Sequence, residues 1–229
     1  NLGRHRRRSI LSGLALALGT TLLMFIAAFF TGEMRSSMET TLRLNTGHIQ
    51  VQNADYDPDK LSVAWEYLIE NPDQTAAQIG SLDPVHVATP RLAASGIVSV
   101  RDESAGVQIM GIVPESEANA PYRDGIISGE FITADDREGI LIGLPLAESL
   151  GLKAGDQISL LVNTSDGDVD EQQFTIRGIF TTGTSAWDKG IVFLPLAKAQ
   201  TFARAENHAS MIFVLLKDRE QADEVAASI

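Results

Sequence analysis

The residues that could do chemistry in this 229-residue chain are few and scattered. Its four histidines are His5, His48, His86 and His208; they include no H-E-x-x-H, and no two lie at metal-ligand spacing. No GxxxxGK followed by Ser or Thr occurs, so nothing points to ATP hydrolysis through a phosphate-cradling loop. The absence of a G-x-S-x-G elbow and of an S-x-x-K pair removes the common local signatures of a serine nucleophile. The most metal-like string is Asp166-Gly167-Asp168-Val169-Asp170. An EF-hand loop needs Gly at its sixth position and Glu at its twelfth. Here those positions hold Glu171 and Arg177, so the string reads as an acidic hairpin loop. There is no cysteine, hence no disulfide framework and no thiolate metal or redox site. Trp187, in the loop Thr182 to Lys189, is a candidate partner contact because aromatic rings are enriched at such contacts; local packing is the alternative. The expectation is no catalytic residue, no cofactor and no metal.

The elements that carry these residues are organised around Ser9 to Phe30, a stretch without a charged side chain. As a helix it spans about 33 Å, enough for a bilayer core of about 30 Å. Arg4, Arg6, Arg7 and Arg8 precede it with no acid among them, which places residues 1–8 in the cytoplasm by the positive-inside rule. A cleaved signal peptide has an apolar middle of about 7–15 residues and a small-x-small cleavage site. This run is longer and ends Ala27-Ala28-Phe29-Phe30-Thr31, so a retained transmembrane helix over 9–30 is expected. Ser9, Gly13, Ala17 and Thr21 recur every four residues and form a small-residue stripe for helix packing, or else reflect ordinary Ala/Gly content.

Beyond the span, residues 31–45 read as a stalk helix. Phe30, Met34, Met38 and Leu42 fall on one face at i, i+4 spacing, and Arg35, Glu39 and Arg43 on another. That apolar face packs on the protein's own domain or on a partner stalk. Gly47 supplies the helix stop. Residues 31–229 carry 14 basic and 30 acidic side chains, a net of −16. Such a surface argues against nucleic acid and against docking on anionic headgroups.

His48 to Gln52 alternates as a strand, and Ala54 to Asp59 is a loop. Ser62 to Gly80 predicts one or two short helices broken at Asn71-Pro72. Val85 to Val100 is strand-like with an interruption at Pro90, and a turn at Arg101 to Ser104 returns it through Val107 to Val113. A short repeat follows. Gly139-Ile140-Leu141-Ile142-Gly143-Leu144-Pro145-Leu146-Ala147 resembles Gly190-Ile191-Val192-Phe193-Leu194-Pro195-Leu196-Ala197, each a strand running into a helix with proline in its first turn. Strands at Gln157 to Val162 and Gln172 to Phe180 lie between the copies. A last strand, Ser210 to Leu216, precedes a helix capped by Asp218, with Gln221 completing a capping box. The pattern predicts an α+β fold, a βαβ-type layer interrupted by a β-rich insert. The chain opens without Met and stops inside a helical pattern, as a segment of a longer protein would.

Several strings together resemble a known family. Asn1-Leu2-Gly3-Arg4, the basic run, the single span and Leu44-Asn45-Thr46-Gly47-His48-Ile49-Gln50-Val51 are similar to the first half of bacterial ABC-transporter permeases of the MacB/FtsX type, and most to the lipoprotein-releasing (LolC/LolE-like) branch. Thr89-Pro90-Arg91, Gly111-Ile112-Val113-Pro114, Gly155-Asp156 and Arg177-Gly178-Ile179-Phe180 agree with it. The resemblance implies a periplasmic core made of a βαβ subdomain called Porter, here 46–113 and 210–229, carrying an inserted β-rich subdomain called Sabre, here 114–209. It implies an inner-membrane permease without enzymatic activity of its own. Its partners would be a cytoplasmic ATPase, a second permease subunit and a periplasmic protein or lipoprotein; ATP-driven helix motion would rearrange the periplasmic part. A single-span ligand sensor is the rival reading, and a membrane-anchored hydrolase with dispersed Ser, His and Asp is a third.

Overall fold

The computed structural model describes residues 6–41, 44 and 46–229, and the chain divides into two compact units, 1–45 and 46–229. In the first, helix α1 (Arg6–Thr41) covers the expected span and runs on through the first eleven residues of the expected stalk. Its 36 residues measure about 54 Å at 1.5 Å per residue. Ile10–Thr31, with a mean hydropathy of 2.2 and no buried part, is long and apolar enough to cross a membrane. The Thr20 hydroxyl donates to the Leu16 carbonyl at 3.0 Å and the Thr31 hydroxyl to the Ala27 carbonyl at 2.8 Å. Both polar groups are therefore satisfied within the helix, as an apolar solvent requires.

In the second unit, β1 (Ile49–Val51) leads through a 3-10 turn at Trp65–Tyr67 to β2 (Ile69–Glu70) and α2 (Pro72–Gly80). Of the one or two short helices expected over Ser62 to Gly80 with a break at Asn71-Pro72, the second stands as α2, with Pro72 in its first turn where the missing N–H is no loss; the first is only a 3-10 turn, followed by a short strand. β3 (Val85–Val100) is one unbroken strand of 16 residues rather than two. Pro90 is tolerated because β3 pairs only with a strand on one side there; pairing on its other side begins at Leu92. β4 (Glu103–Ile112) completes the expected hairpin. Then come α3 (Ala120–Asp124), β5 (Ile126–Gly129), β6 (Gly139–Gly143), α4 (Leu144–Leu150), β7 (Gln157–Asn163), β8 (Val169–Phe180), α5 (Ser185–Gly190), β9 (Ile191–Pro195) and α6 (Leu196–Phe202). β10 (His208–Ala209), β11 (Met211–Leu216) and α7 (Ala222–Ala226) close the chain. Asp218 accepts from the Glu220 N–H and so caps a 3-10 turn ahead of α7 rather than α7 itself.

Two arrangements share β3. Its first half pairs with β11, and β11 pairs with β1, so β1 and β3 run parallel on either side of β11, joined by α2. This split βαβ layer buries Ala76 and Ile79 of α2 and Val225 of α7 against Val85, Ile212, Val214 and Leu216. The second half of β3 enters a ring that closes in the order β3, β4, β9, β6, β8, β7 and back to β3. Its inward residues follow the strand period of two: Leu92, Ala94 and Val98 on β3, Ile158, Leu160 and Val162 on β7, and Val192 and Leu194 on β9. Gly96 sits where β3 crosses β7, and a Cβ there would come within 2.5 Å of Ile109 Cδ1 and 2.7 Å of the Leu161 oxygen.

The sequence repeat now has a structural meaning. Hairpin β3–β4 is followed by β6–α4, and hairpin β7–β8 by β9–α6; yet β6 lies parallel beside β8, and β9 parallel beside β4. Each strand–helix copy thus completes the other half of the ring. β4 pairs with β9 from Gln108 to Ile112, so sheet pairing continues between strands on either side of the expected boundary at residues 113/114.

Candidate functional site

On α1, Gly13, Ala17 and Thr21 of the small-residue stripe are exposed, and no atom lies within 4 Å of where a Gly13 Cβ would be. Phe30 is exposed and meets Phe29 edge to face at 6.2 Å. Leu42 and the side chains of Ser9, Met34 and Met38 lie outside the described residues.

The scattered polar candidates serve local structure. His48 Nδ1 accepts the Leu216 N–H at 2.9 Å and ties β1 to β11. His86 faces Glu117 at 3.1 Å on the surface, and His208 stacks on Trp65. The acidic loop is held by Arg204, which bonds Asp166 and, at 3.2 Å, Asp168. The Thr164 hydroxyl and Arg204 hold the Asp166 carboxyl below the usual range. Among the described residues no group of three or more His, Asp or Glu is placed to hold a metal ion.

The chemistry that sequence reading missed is a buried polar seam between the split layer and the ring. Arg91 lies on β3 where pairing with β11 ends and pairing with β4 begins, and only 1% of it is exposed. Its guanidinium lies 3.7 Å from the Phe213 ring centre, and its Nη2 donates to Asn119 Oδ1 at 3.4 Å. The Asn119 amide in turn donates to the Val113 carbonyl at 2.7 Å. Burial pulls the Arg91 pKa down, an effect the neighbouring Tyr122 opposes. Tyr122 is fully buried, with its ring 4.4 Å from Phe193 and 5.7 Å from Phe180. Its phenol is pushed up to about 12, chiefly by burial, with Arg91 and the Trp187 side chain pulling the other way. Trp187 is half-buried on α5, its indole nitrogen turned inward towards Tyr122.

The next residue, Asp188, is fully buried and closes the seam. One carboxylate oxygen accepts the Thr181 hydroxyl at 3.0 Å and the Thr182 N–H at 2.9 Å; the other accepts the Thr182 hydroxyl at 2.6 Å. Gly143 permits this approach, since a Cβ there would lie 1.9 Å from the Asp188 carbonyl oxygen. Ser210 bridges in both directions to the Ala93 backbone, accepting its N–H at 2.9 Å and donating to its carbonyl at 3.2 Å. The seam presents no activated nucleophile and no general base positioned against one. Directional, charge-assisted bonds of this kind fix the relative placement of what they join. The only sequence cue was Arg91 in the Thr-Pro-Arg string; nothing local marks Tyr122 or Asp188 as buried.

The described residues thus join a long unburied apolar helix, able to cross a membrane by length and composition, to a mixed α/β domain. Comparison identifies the family. Residues 9–229 match the model of the MacB-like periplasmic core domain, and the chain belongs to that family. It is 24% identical over 196 residues to the lipoprotein-releasing system transmembrane protein LolE of Haemophilus influenzae, covering 83% of this chain and 45% of that protein. The chain therefore spans less than half the length of this relative. The extracellular domain of the noncanonical ABC-type transporter YknZ from Gram-positive bacteria superposes with a TM-score of 0.52 at 13% identity, covering 77% of this chain and 88% of that one. The periplasmic region of MacB from Actinobacillus actinomycetemcomitans gives 0.52 at 15% identity, covering 78% and 82%. At these identities the likeness is one of fold. The MacB/FtsX-type resemblance and the α+β class expected from the sequence hold, and the chain is an ABC-transporter permease-like periplasmic domain with one helix able to cross a membrane.

Proposed function

We propose that this chain is the force-transmitting part of a permease, coupling ATP hydrolysis on a separate cytoplasmic subunit to movement of its extracytoplasmic domain. The observation that carries this reading is the continuity of α1: apolar span and the start of the stalk are one helix without a break. A helix of this kind delivers a displacement at one end to the other as a rigid rod, whereas a flexible linker would dissipate it. Orientation with Arg4 and Arg6 to Arg8 in the cytoplasm of a bacterial inner membrane follows the positive-inside rule. In this reading Ser9, Gly13, Ala17 and Thr21 face a helix of the membrane part. Phe30, Met34, Met38 and Leu42 meet the stalk of a second permease subunit, and residues 114–209 act as the subdomain that engages the periplasmic partner or lipoprotein. The kinship to a lipoprotein-releasing protein supports lipoprotein as the substrate class.

The test uses the full-length permease with its ATPase in proteoliposomes. Met38→Asp is expected to leave ATP hydrolysis running while substrate release falls at least tenfold. Equal hydrolysis and equal release in the variant and the parent would overturn the proposal.

A further inference from the structure

We propose that Trp65 and its acidic surroundings form a docking surface for an arginine or lysine side chain displayed by a basic segment of a partner protein. Trp65 is 60% exposed, the most exposed large apolar side chain among the described residues of the second unit. A tryptophan that merely closed the strap between β1 and β2 would turn its ring inward. This ring is instead held outward by devices at its edge and on one face. The indole N–H donates to the Arg204 carbonyl at 3.0 Å, an oxygen that also accepts the Ser165 hydroxyl. His208 stacks on the ring, with 5.8 Å between ring centres and 6° between planes, and the side chain still stays 60% exposed. His208 is itself oriented by a 2.8 Å contact of Nδ1 with the Glu206 carbonyl.

The backbone around the ring is strained to hold this arrangement. Leu61, Asn71, Arg204 and Asn207 have φ of +46°, +52°, +52° and +58°; of the described non-glycine residues only Arg101 shares the left-handed region with them. Asn71 and Asn207 lock the two segments together, N–H to carbonyl at 3.0 Å and amide to amide at 2.7 Å. Strain of this kind is retained where a surface must be presented in one conformation. A platform already fixed costs little further ordering on binding.

Charge selects the ligand. Residues 53–83 carry seven acidic side chains and one basic one, Lys60, which is paired with Asp57. Arg204, whose carbonyl takes the indole N–H, has its guanidinium engaged by Asp166 and Asp168. A largely exposed indole on a carboxylate-rich stretch attracts a cation and repels an anion. The inference uses nothing of the coupling reading, and its test is run without nucleotide, so either can fail alone.

The test is fluorescence anisotropy of a labelled arginine-rich nonapeptide titrated with the full-length permease in detergent, beside the same peptide with citrulline in place of arginine. Citrulline keeps the shape and removes the charge. The arginine peptide is expected to bind at least tenfold more tightly than the citrulline peptide. Trp65→Leu is expected to weaken it about tenfold, and Trp65→Phe, which keeps a ring face but loses the bond to Arg204, about threefold. Equal binding of both peptides, undiminished binding to Trp65→Leu, or equal losses in the Leu and Phe variants would each overturn the proposal.

Discussion

The apolar stretch of α1 and the strands of the ring are made of the same residues and have opposite fates. All twelve large apolar side chains between Ile10 and Phe30 are 45–72% exposed, whereas Ile140–Ile142 of β6 and Val192–Leu194 of β9 are wholly buried. Leaving such a side chain in water costs about 1.5–3 kcal/mol relative to burial, so twelve partly exposed ones cost on the order of 10–20 kcal/mol. That matches or exceeds the roughly 5–15 kcal/mol by which a domain is stable at all. By that measure Ile10–Thr31 suits a bilayer far better than water. The two regions show how one composition serves two purposes, a helix able to cross a bilayer and the interior of a sheet. The seam at Arg91 serves a third: apolar packing is forgiving of small shifts, while its bonds have one geometry.

The sharpest way to break this contrast is the same truncation in both regions. Phe193→Ala removes a ring packed between Tyr122 and Phe180 and should lower the domain's stability by about 3–5 kcal/mol, read by chemical denaturation. Phe25→Ala should leave that stability unchanged, because nothing in the domain's core depends on it. A single charge in the rod reverses the pattern. Leu22→Arg, near the centre of the span, should cost about 3 kcal/mol of membrane insertion, read as a larger alkali-extractable fraction, with no change in the domain's unfolding.

The seam should give smaller effects of a different kind. Asp188→Asn places an amide against the Thr182 N–H and two threonine hydroxyls, and should cost about 2–3 kcal/mol. Tyr122→Phe should cost about 1 kcal/mol near neutrality. Its pH signature identifies the group. A phenol raised from its usual value of about 10 gives stability that is fully present below pH 10 and lost as pH rises towards 12. The parent should therefore lose stability over that window more steeply than Tyr122→Phe. Asp166 gives the mildest effect and the opposite sign. Its depressed pKa means the loop clamp persists above the ordinary carboxylate range and is released as acid titrates through and below it, which chemical-shift changes in 163–170 should report.

Local pattern carried much of the fold. The span, the β3–β4 hairpin and the two strand–helix copies were readable because hydrophobic period, turn chemistry and a proline near each helix start act within about ten residues. Before α2 the break at Asn71-Pro72 was legible but the short strand β2 was not, because it depends on finding β10 some 140 residues later. Closure of the ring was invisible for the same reason: Gly96 to Ser99 meet Val162 to Ser159 only in three dimensions. The seam was least legible of all. Arg91 and Asp188 are types normally found at the surface; Arg91 is buried among Phe213, Asn119 and Tyr122, which lie far from it in sequence, and Asp188 is held by Thr181 and Thr182. Trp187 was open between a partner contact and local packing; the structure has it partly buried, with its side chain acting on Tyr122.

The central claim is that α1 moves as a lever when nucleotide binds, and it can be measured as a distance. The chain contains no cysteine, so Met38→Cys in the full-length permease offers one labelling site per copy in this region. Pulsed electron paramagnetic resonance between that label and one at the matching stalk position of the second permease subunit, with and without ATP, reads the separation of the stalks. The account predicts two distinct distance distributions that interconvert with the nucleotide state. Identical distributions in a preparation that is hydrolysing ATP and releasing substrate would contradict it.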